Sequence, residues 1–274
     1  MSRRYSYDVF TSHGIVAVEE TEGTGIPVLF IHGNSFSRQV FRKQLDTPFA
    51  GWHRLVAFDL PGHGGSSPAA APATTYSRPG LADAALELME ALGIDKAVLV
   101  GWSLGGHVAM EMLARSEKIA GLFLSGAPPV GRDVSAGFRR PPSGGSAPGE
   151  ARAPFEAEAF VDGIFTGPEA SHFYEIVRGT DPDFRTALFA SLRKGAGIDQ
   201  RQALIDTGVP TAIVNGAEDR IVNLDYFETV PYGNLWNGTC YRLEGAGHAP
   251  FWDAPERYNA LLQEFLRTAA PPAG

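Results

Sequence analysis

The 274-residue sequence predicts an α/β fold, with a mostly parallel sheet covered by helices on both faces and an inserted helical cap. Short apolar runs rich in β-branched residues, each bounded by glycine, proline or a charged residue, alternate along the chain with amphipathic helical patterns. From residue 131 to residue 208 this alternation stops, and a loop rich in Pro, Gly, Ser and Arg leads into short helical pieces. We therefore expect a core of residues 1–130 and 209–274 and a cap segment of residues 131–208.

Each element of this fold has its own signal. Apolar residues three and four positions apart predict three core helices, around residues 81–92, 104–112 and 258–265. The opening residues form two short extended runs around a turn at His13-Gly14, which predicts an antiparallel hairpin at the sheet edge. The runs with the length of buried parallel strands are 28–31, 55–58, 97–100, 122–124 and 211–214.

Aromatic side chains are frequent in the cap segment. We expect most of them to pack in the core and a minority to line a pocket. They are Phe155, Phe160, Phe165, Phe173, Tyr174, Phe184 and Phe189.

Composition and charge exclude several classes of function. No apolar run approaches the roughly 18 residues that a membrane span needs. No apolar stretch follows the two arginines at the N-terminus, so we expect neither a membrane anchor nor a signal peptide and predict a cytoplasmic protein. The net charge is −8 and no basic stripe is visible, which disfavours a nucleic-acid partner and favours a small neutral molecule.

The chemistry-bearing residues give no metal-binding pattern. The single cysteine, Cys240, excludes an internal disulfide and a multi-cysteine metal site, and its place in a late strand suggests a core residue. His and Asp residues do not occur at metal-ligand spacing such as His-x-His-x-Asp-His. We therefore expect no metal and no organic cofactor.

The strongest local motif is Gly-Trp-Ser-Leu-Gly-Gly at residues 101–106, which follows a predicted strand and opens a predicted helix. A Gly-x-Ser-x-Gly sequence at such a junction is typical of a nucleophile elbow, because its glycines permit a sharp turn that lifts the serine hydroxyl clear of the sheet. The motif therefore predicts Ser103 as a catalytic nucleophile. The backbone N–H of Leu104, at the helix N-terminus, is expected to stabilise a negative oxygen.

A serine nucleophile needs a base and an orienting acid, which follow in the order Ser, Asp/Glu, His. His248 lies just after a late strand-like run and is the predicted base. Asp219 lies just beyond the strand at 211–214 and is the predicted acid, favoured by the pattern Gly-x-x-Asp-x-Ile-Val. Glu218 is the alternative, because the chain direction does not decide which carboxylate faces inward. The other histidines lack such a setting and are expected to be structural or solvated; they are His13, His32, His53, His63, His107 and His172.

The loop after the first parallel strand, residues 32–36, is expected to supply a second oxyanion donor. The backbone N–H of Asn34 is the predicted donor, and capping of the following helix is a compatible role for its side chain. Residues 59–67, with the sequence Asp-Leu-Pro-Gly-His-Gly-Gly-Ser-Ser, are interpreted as turn structure rather than as catalytic groups.

These motifs together resemble the α/β-hydrolase superfamily over nearly the whole chain. Within it, the sequence resembles the metal-independent N-acyl homoserine lactonases, the quorum-quenching enzymes that open the lactone ring of bacterial signals. The suggestive stretches are residues 31–35, 58–64, 101–107, 127–130, 214–216, 232–236 and 246–251, of which Gly-Asn-Leu-Trp at 233–236 is the least generic.

The resemblance implies an α/β-hydrolase fold, a serine esterase or lactonase activity through an acyl-enzyme, and no cofactor. It also implies substrate-binding roles for Phe36, Trp102 and Phe160. Two positions depart from the lactonase pattern: Asp219 stands where the compared member has a glutamate, and Phe160 stands where a tyrosine hydroxyl can meet the lactone. The first change leaves the mechanism intact, whereas the second removes one polar contact to the substrate.

Other functions fit the same motifs. A carboxylesterase with a different acyl substrate would use the same triad and differ only in the cap segment. A small-molecule receptor with a vestigial triad is the non-enzymatic alternative, against which the presence of all three triad residues argues. Epoxide hydrolases and haloalkane dehalogenases need an aspartate nucleophile where this chain has Ser103.

Overall fold

The computed structural model describes residues 3–131, 133–139 and 156–269. These residues form an eight-stranded sheet in the order β1-β2-β4-β3-β5-β6-β7-β8. The strands β3 to β8 run parallel to one another, and β1 and β2 form an antiparallel hairpin at one edge, with β2 antiparallel to β4. Their bounds are β1 Arg4–Thr11, β2 Gly14–Thr21, β3 Gly25–Ile31, β4 His53–Phe58, β5 Ala97–Trp102, β6 Ile119–Ser125, β7 Thr211–Gly216 and β8 Leu235–Leu243.

Helices connect the strands. The α-helices are α1 Arg42–Leu45, α2 Pro72–Thr75, α3 Arg78–Ala91, α4 Leu104–Leu113, α5 Ala157–Asp162, α6 Phe173–Arg178, α7 Pro182–Arg193, α8 Gln200–Asp206, α9 Leu224–Glu228, α10 Pro250–Asp253 and α11 Pro255–Ala269. Short 3-10 helices lie at Arg38–Phe41, Pro48–Gly51, Ser135–Gly137 and Pro168–His172.

The sheet is buried on both faces, as its apolar strands require. Along β3, Val28 and Phe30 belong to the hydrophobic cluster on one face, and Leu29 and Ile31 belong to the cluster on the other. Successive side chains of a strand point to opposite faces, so a strand buried on both sides reads as a continuous apolar run. The predicted α/β-hydrolase fold, its parallel strands and its edge hairpin are confirmed.

The described part of the cap segment lies between β6 and β7 and is helical. Phe165, Phe173 and Phe184 are buried and pack among other aromatic rings, whereas Phe160 and Phe189 line a cavity. Most of the loop at its start, and Phe155 with it, falls outside the described residues.

Cys240 lies on β8 and is half-buried rather than fully enclosed in the core. Burial raises the pKa of its thiol to about 11, which leaves little thiolate at neutral pH. None of the helices in the described part of the chain is both long and apolar enough to cross a membrane.

Candidate active site

Ser103 lies at a sharp turn between β5 and α4. Its backbone adopts φ 53° and ψ −118°, a conformation that side-chain-bearing residues rarely take. The turn brings the start of α4 so close to β3 that a Cβ on Gly105 would come within 2.0 Å of the Ile31 carbonyl oxygen. The small residues of the motif are thus required by close packing, and they hold the serine at the end of the strand.

Asp219 and His248 are brought together from the loops after β7 and β8. Asp219 Oδ2 lies 2.7 Å from His248 Nδ1, and both side chains are buried. The other oxygen, Oδ1, accepts hydrogen bonds from the backbone N–H groups of Ile221 at 2.8 Å and Val222 at 3.2 Å. Glu218 is exposed, so Asp219 is the carboxylate that contacts the imidazole.

The surroundings of Asp219 keep it ionised. Burial by itself would raise its pKa, but the electrostatic effect and hydrogen bond of His248, together with the two backbone N–H donors, outweigh burial and lower the pKa below its usual value. An ionised Asp219 can therefore accept a hydrogen bond from His248 Nδ1–H at neutral pH.

Two neighbours fix the position of His248. Trp102, the residue before Ser103, donates its indole N–H to the backbone carbonyl of His248 at 2.8 Å. Gly126, in a left-handed conformation after β6, faces the imidazole so closely that a Cβ there would lie 2.7 Å from His248 Cε1. The loop that carries His248 is therefore hydrogen-bonded to Trp102 of the elbow and packs against the backbone of Gly126.

The loop that carries Asn34 is shaped by its neighbour, Ser35. Ser35 is fully buried with φ 67°, and its hydroxyl donates to Asn34 Oδ1 at 2.8 Å. Its N–H donates to His63 Nε2 at 3.1 Å, and its carbonyl accepts from the Thr180 hydroxyl at 3.2 Å. Asn34 does not cap the following 3-10 helix, because Ser37 takes that role.

His32 and His63 join this loop to residues 59–67. His32 Nε2 accepts from the Leu60 N–H at 3.0 Å, and each Nδ1 lies within 3.0 Å of a backbone carbonyl oxygen. Burial lowers the pKa of His32 to about 4 and that of His63 to about 3, so both are neutral acceptors at pH 7. Both are structural, as the sequence predicted; their role in holding the Asn34 loop was not predicted, because it depends on contacts between two separate loops.

A cavity of about 170 Å³ opens onto the elbow. Its walls include seven of the eight residues predicted for the site, and Asp219 lies behind His248 instead. Arg78 and His107 also line it, and the sequence did not point to either. The full lining is Asn34, Phe36, Arg78, Trp102, Ser103, Leu104, His107, Val130, Val134, Phe138, Phe160, Ile164, Leu188, Phe189, Leu192, Ile221 and His248.

The two residues predicted to supply oxyanion donors, Asn34 and Leu104, both line the cavity beside Ser103. Leu104 begins α4, and the first N–H groups of a helix have no acceptor within that helix. Asn34 reaches the same cavity from the loop after β3.

Across residues 3–131, 133–139 and 156–269, no group of three His, Cys, Asp or Glu side chains could hold a metal ion.

Comparison with known proteins gives a consistent result. The model of the alpha/beta hydrolase family matches residues 28–261. The crystal structure of a mutant of the N-acyl homoserine lactonase AidH, complexed with N-hexanoyl homoserine, is 40% identical with a TM-score of 0.91, covering 97% of this chain and 98% of that chain. The esterase RhEst1 from Rhodococcus sp. ECU1013 is 26% identical with a TM-score of 0.74, covering 98% and 100%. The pimeloyl-[acyl-carrier protein] methyl ester esterase of Aromatoleum aromaticum is 31% identical in an alignment of 264 residues that covers 88% of this chain and 98% of that protein. The resemblance predicted from the sequence motifs is confirmed.

Proposed function

The chain belongs to the alpha/beta hydrolase family, and we propose that within it the protein is a serine hydrolase that opens the lactone ring of N-acyl homoserine lactones. The observation that supports the serine mechanism is the 2.7 Å contact between Asp219 Oδ2 and His248 Nδ1, because His248 lines the same cavity as the strained Ser103. Its lactone substrate is supported by the 40% identity to AidH, a named N-acyl homoserine lactonase.

In the first half of the reaction, Ser103 Oγ attacks the ring carbonyl and its proton passes to His248 Nε2. The N–H groups of Asn34 and Leu104 stabilise the oxyanion of the tetrahedral intermediate. The ring C–O bond then breaks, and His248 returns the proton to the leaving oxygen. The product is an acyl-enzyme whose leaving alcohol stays tethered to the acyl group.

In the second half, His248 takes a proton from water as the water oxygen attacks the acyl carbonyl. The bond to Ser103 Oγ then breaks, His248 returns the proton to Oγ, and the ring-opened acid is released. This step competes with closure of the ring by the tethered alcohol. We propose that the cap segment limits access to the site, and that Phe36, Trp102 and Phe160 bind the substrate from one side. Their rings support this role: Phe36 lies 5.2 Å from Trp102 and is stacked on Phe160 at 5.5 Å. No metal or cofactor takes part in this mechanism.

Ester hydrolysis on another acyl substrate is the second candidate. It is favoured by the 31% identity to a methyl ester esterase and by Phe160, which offers no hydroxyl to a lactone. Its ring lies in the cavity wall, so the difference bears directly on substrate choice.

A substrate panel separates the two candidates. We expect N-acyl homoserine lactones to gain one water with acyl chain and homoserine still joined, which mass spectrometry detects as a single product. The ester carbonyl is more electrophilic than the amide and has the better leaving group, so release of a free fatty acid is not expected. Rapid turnover of simple aryl esters, with no lactone opening above the uncatalysed rate, would contradict the lactonase proposal and support a carboxylesterase.

A further inference from the structure

His107 is a polar cavity residue that the proposed mechanism leaves unused. It lies on α4 one turn beyond Ser103, with its backbone N–H donating to the Ser103 carbonyl at 3.2 Å. One turn of helix is ~5.4 Å, so the backbone of His107 follows that of Ser103 by about this distance along α4. Both residues line the same cavity.

The tautomer of His107 is set by Gln200, a fully buried residue at the start of α8. The amide nitrogen of Gln200 donates to the His107 backbone carbonyl at 3.1 Å, which fixes the orientation of the amide. Its oxygen then faces His107 Nδ1 at 2.7 Å. Because an amide oxygen only accepts, Nδ1 carries the proton and Nε2 carries the lone pair. Nε2 is therefore the nitrogen that this contact leaves for a ligand.

His107 is an acceptor rather than a cation at neutral pH. Burial lowers its pKa to about 4, the positive charge of Arg78 and the electrostatic effect of His248 act in the same direction, and the hydrogen bond to Gln200 opposes them. The Arg78 charge is itself balanced by the buried carboxylate of Glu111, 3.7 Å from Arg78 Nε. A neutral imidazole in this position can receive a hydrogen bond from a substrate.

Apart from His107 and Arg78, the cavity wall on this side is apolar. A ligand that fills such a space displaces water, and a polar atom left without a partner there destabilises the complex. Sites built to bond a substrate N–H or O–H discriminate strongly against analogues that lack it. The apolar lining residues from this part of the fold are Val130, Phe138, Leu188, Phe189 and Leu192.

We infer that His107 is a specificity-determining residue whose Nε2 accepts a hydrogen bond from an amide N–H or a hydroxyl in the acyl portion of the substrate. This inference deepens the proposed function, on which it rests for the position of the attacked carbonyl. It names the substrate class as neutral esters or lactones that carry such a donor a few atoms from that carbonyl.

Two substrate pairs test the inference in the unaltered protein. The first pair is an N-acyl homoserine lactone and its N-methyl analogue, which lacks the N–H. The second pair is a 3-hydroxyacyl lactone and the unsubstituted acyl lactone. We expect the donor-bearing member of one pair to have a kcat/KM about tenfold higher, the effect of one hydrogen bond in a dry site. The pair that responds identifies the donor as the amide or the hydroxyl, and equal kcat/KM within both pairs would overturn the inference.

Two variants of His107 provide the matched control. His107→Asn keeps a donor for Gln200 near the Nδ1 position but removes the acceptor at Nε2, whereas His107→Gln keeps an acceptor near the Nε2 position. The tenfold preference should vanish in His107→Asn and be partly kept in His107→Gln. If the preference for the donor-bearing substrate is lost equally in both variants while their thermal unfolding is unchanged, the imidazole ring has a packing role, and the assignment is wrong.

Binding to a Ser103→Ala background separates this inference from the proposed function. Calorimetry of the same lactone pairs needs no turnover, so the preference for the donor-bearing member is measurable even if no lactone is hydrolysed. A preference for 3-oxoacyl or carboxylated chains, abolished by Arg78→Gln, would instead assign recognition to Arg78 and overturn the role of His107.

Discussion

Replacing Asp219 with asparagine should reduce kcat about ten-thousand-fold while leaving the fold intact. The reason lies in the two oxygens of the native carboxylate. Oδ1 accepts from the backbone N–H groups of Ile221 and Val222, and Oδ2 accepts from His248 Nδ1. The amide of asparagine has one acceptor and one donor, so only one of these sides can keep its hydrogen bonds.

The two backbone donors decide which side that is. They hold the amide oxygen in the Oδ1 position, because turning the amide over would place its NH₂ group against both N–H groups. The amide nitrogen then faces His248 Nδ1 as a donor. The imidazole must present its lone pair at Nδ1 and carry its proton on Nε2, so it cannot accept the proton of Ser103.

The magnitude follows from this change of tautomer together with the loss of a negative charge beside the developing imidazolium. The same substitution in the Ser-His-Asp triad of serine proteases costs about 10⁴ in kcat, which corresponds to about 5.4 kcal/mol at 1.36 kcal/mol per factor of ten. Asp219 is likewise a buried carboxylate, only 2% exposed, and it likewise contacts the Nδ1 atom of the histidine. We therefore expect a loss in kcat of that size.

The assay is kcat on an aryl ester at saturation, with thermal unfolding measured on the same preparations. The matched control is Glu218→Gln, since Glu218 is exposed and adjacent in the chain; we expect less than a threefold effect, in line with the small energies of solvated surface charges. The reverse order of the two variants, or an Asp219→Asn enzyme within tenfold of wild type, would refute the tautomer argument.

Other perturbations test separate parts of the site. Ser103→Ala should lower turnover by about a million-fold and abolish fluorophosphonate labelling; label retained on another serine would contradict the assignment. Gly126→Ala should cost at least tenfold in kcat, since its Cβ would lie 2.7 Å from His248 Cε1; full activity would show that the ring can shift without penalty. Activity should survive exhaustive EDTA treatment, and loss restored by zinc would overturn the serine mechanism. Burial lowers the pKa of His32 to about 4 and that of His63 to about 3, so below pH 6.5 the unfolded state binds more protons than the folded state. As the pH falls from 6.5 to the folded pKa, each histidine should lower the free energy of unfolding by about 1.4 kcal/mol per pH unit. A melting temperature that stays constant from pH 6.5 to 4.5 would contradict this.

Local sequence determined most of the architecture. The apolar runs at 28–31, 97–100 and 211–214 are short and β-branched, and they are strands because burial on both faces requires continuous apolar character. The elbow at Ser103 was predictable for a similar reason. Its sharp turn depends on small residues a few positions apart, so the conformation is encoded within a single short motif.

Contacts between distant segments were decided only by the tertiary structure. Asp219 and Glu218 are neighbours after the same strand, and the choice between them depends on the direction in which each side chain leaves a loop that packs against another loop. Likewise, His63 reaches Ser35, and Gln200 reaches His107, across 28 and 93 residues of chain. Hydrogen bonds of this kind are fixed by the positions of whole elements in three dimensions, and periodicity and turn chemistry act over only a few residues. The sequence by itself therefore predicted the fold and the elbow at Ser103. The tertiary structure decided which carboxylate contacts His248, which tautomer His107 adopts and which residues line the cavity, because these depend on contacts between distant segments.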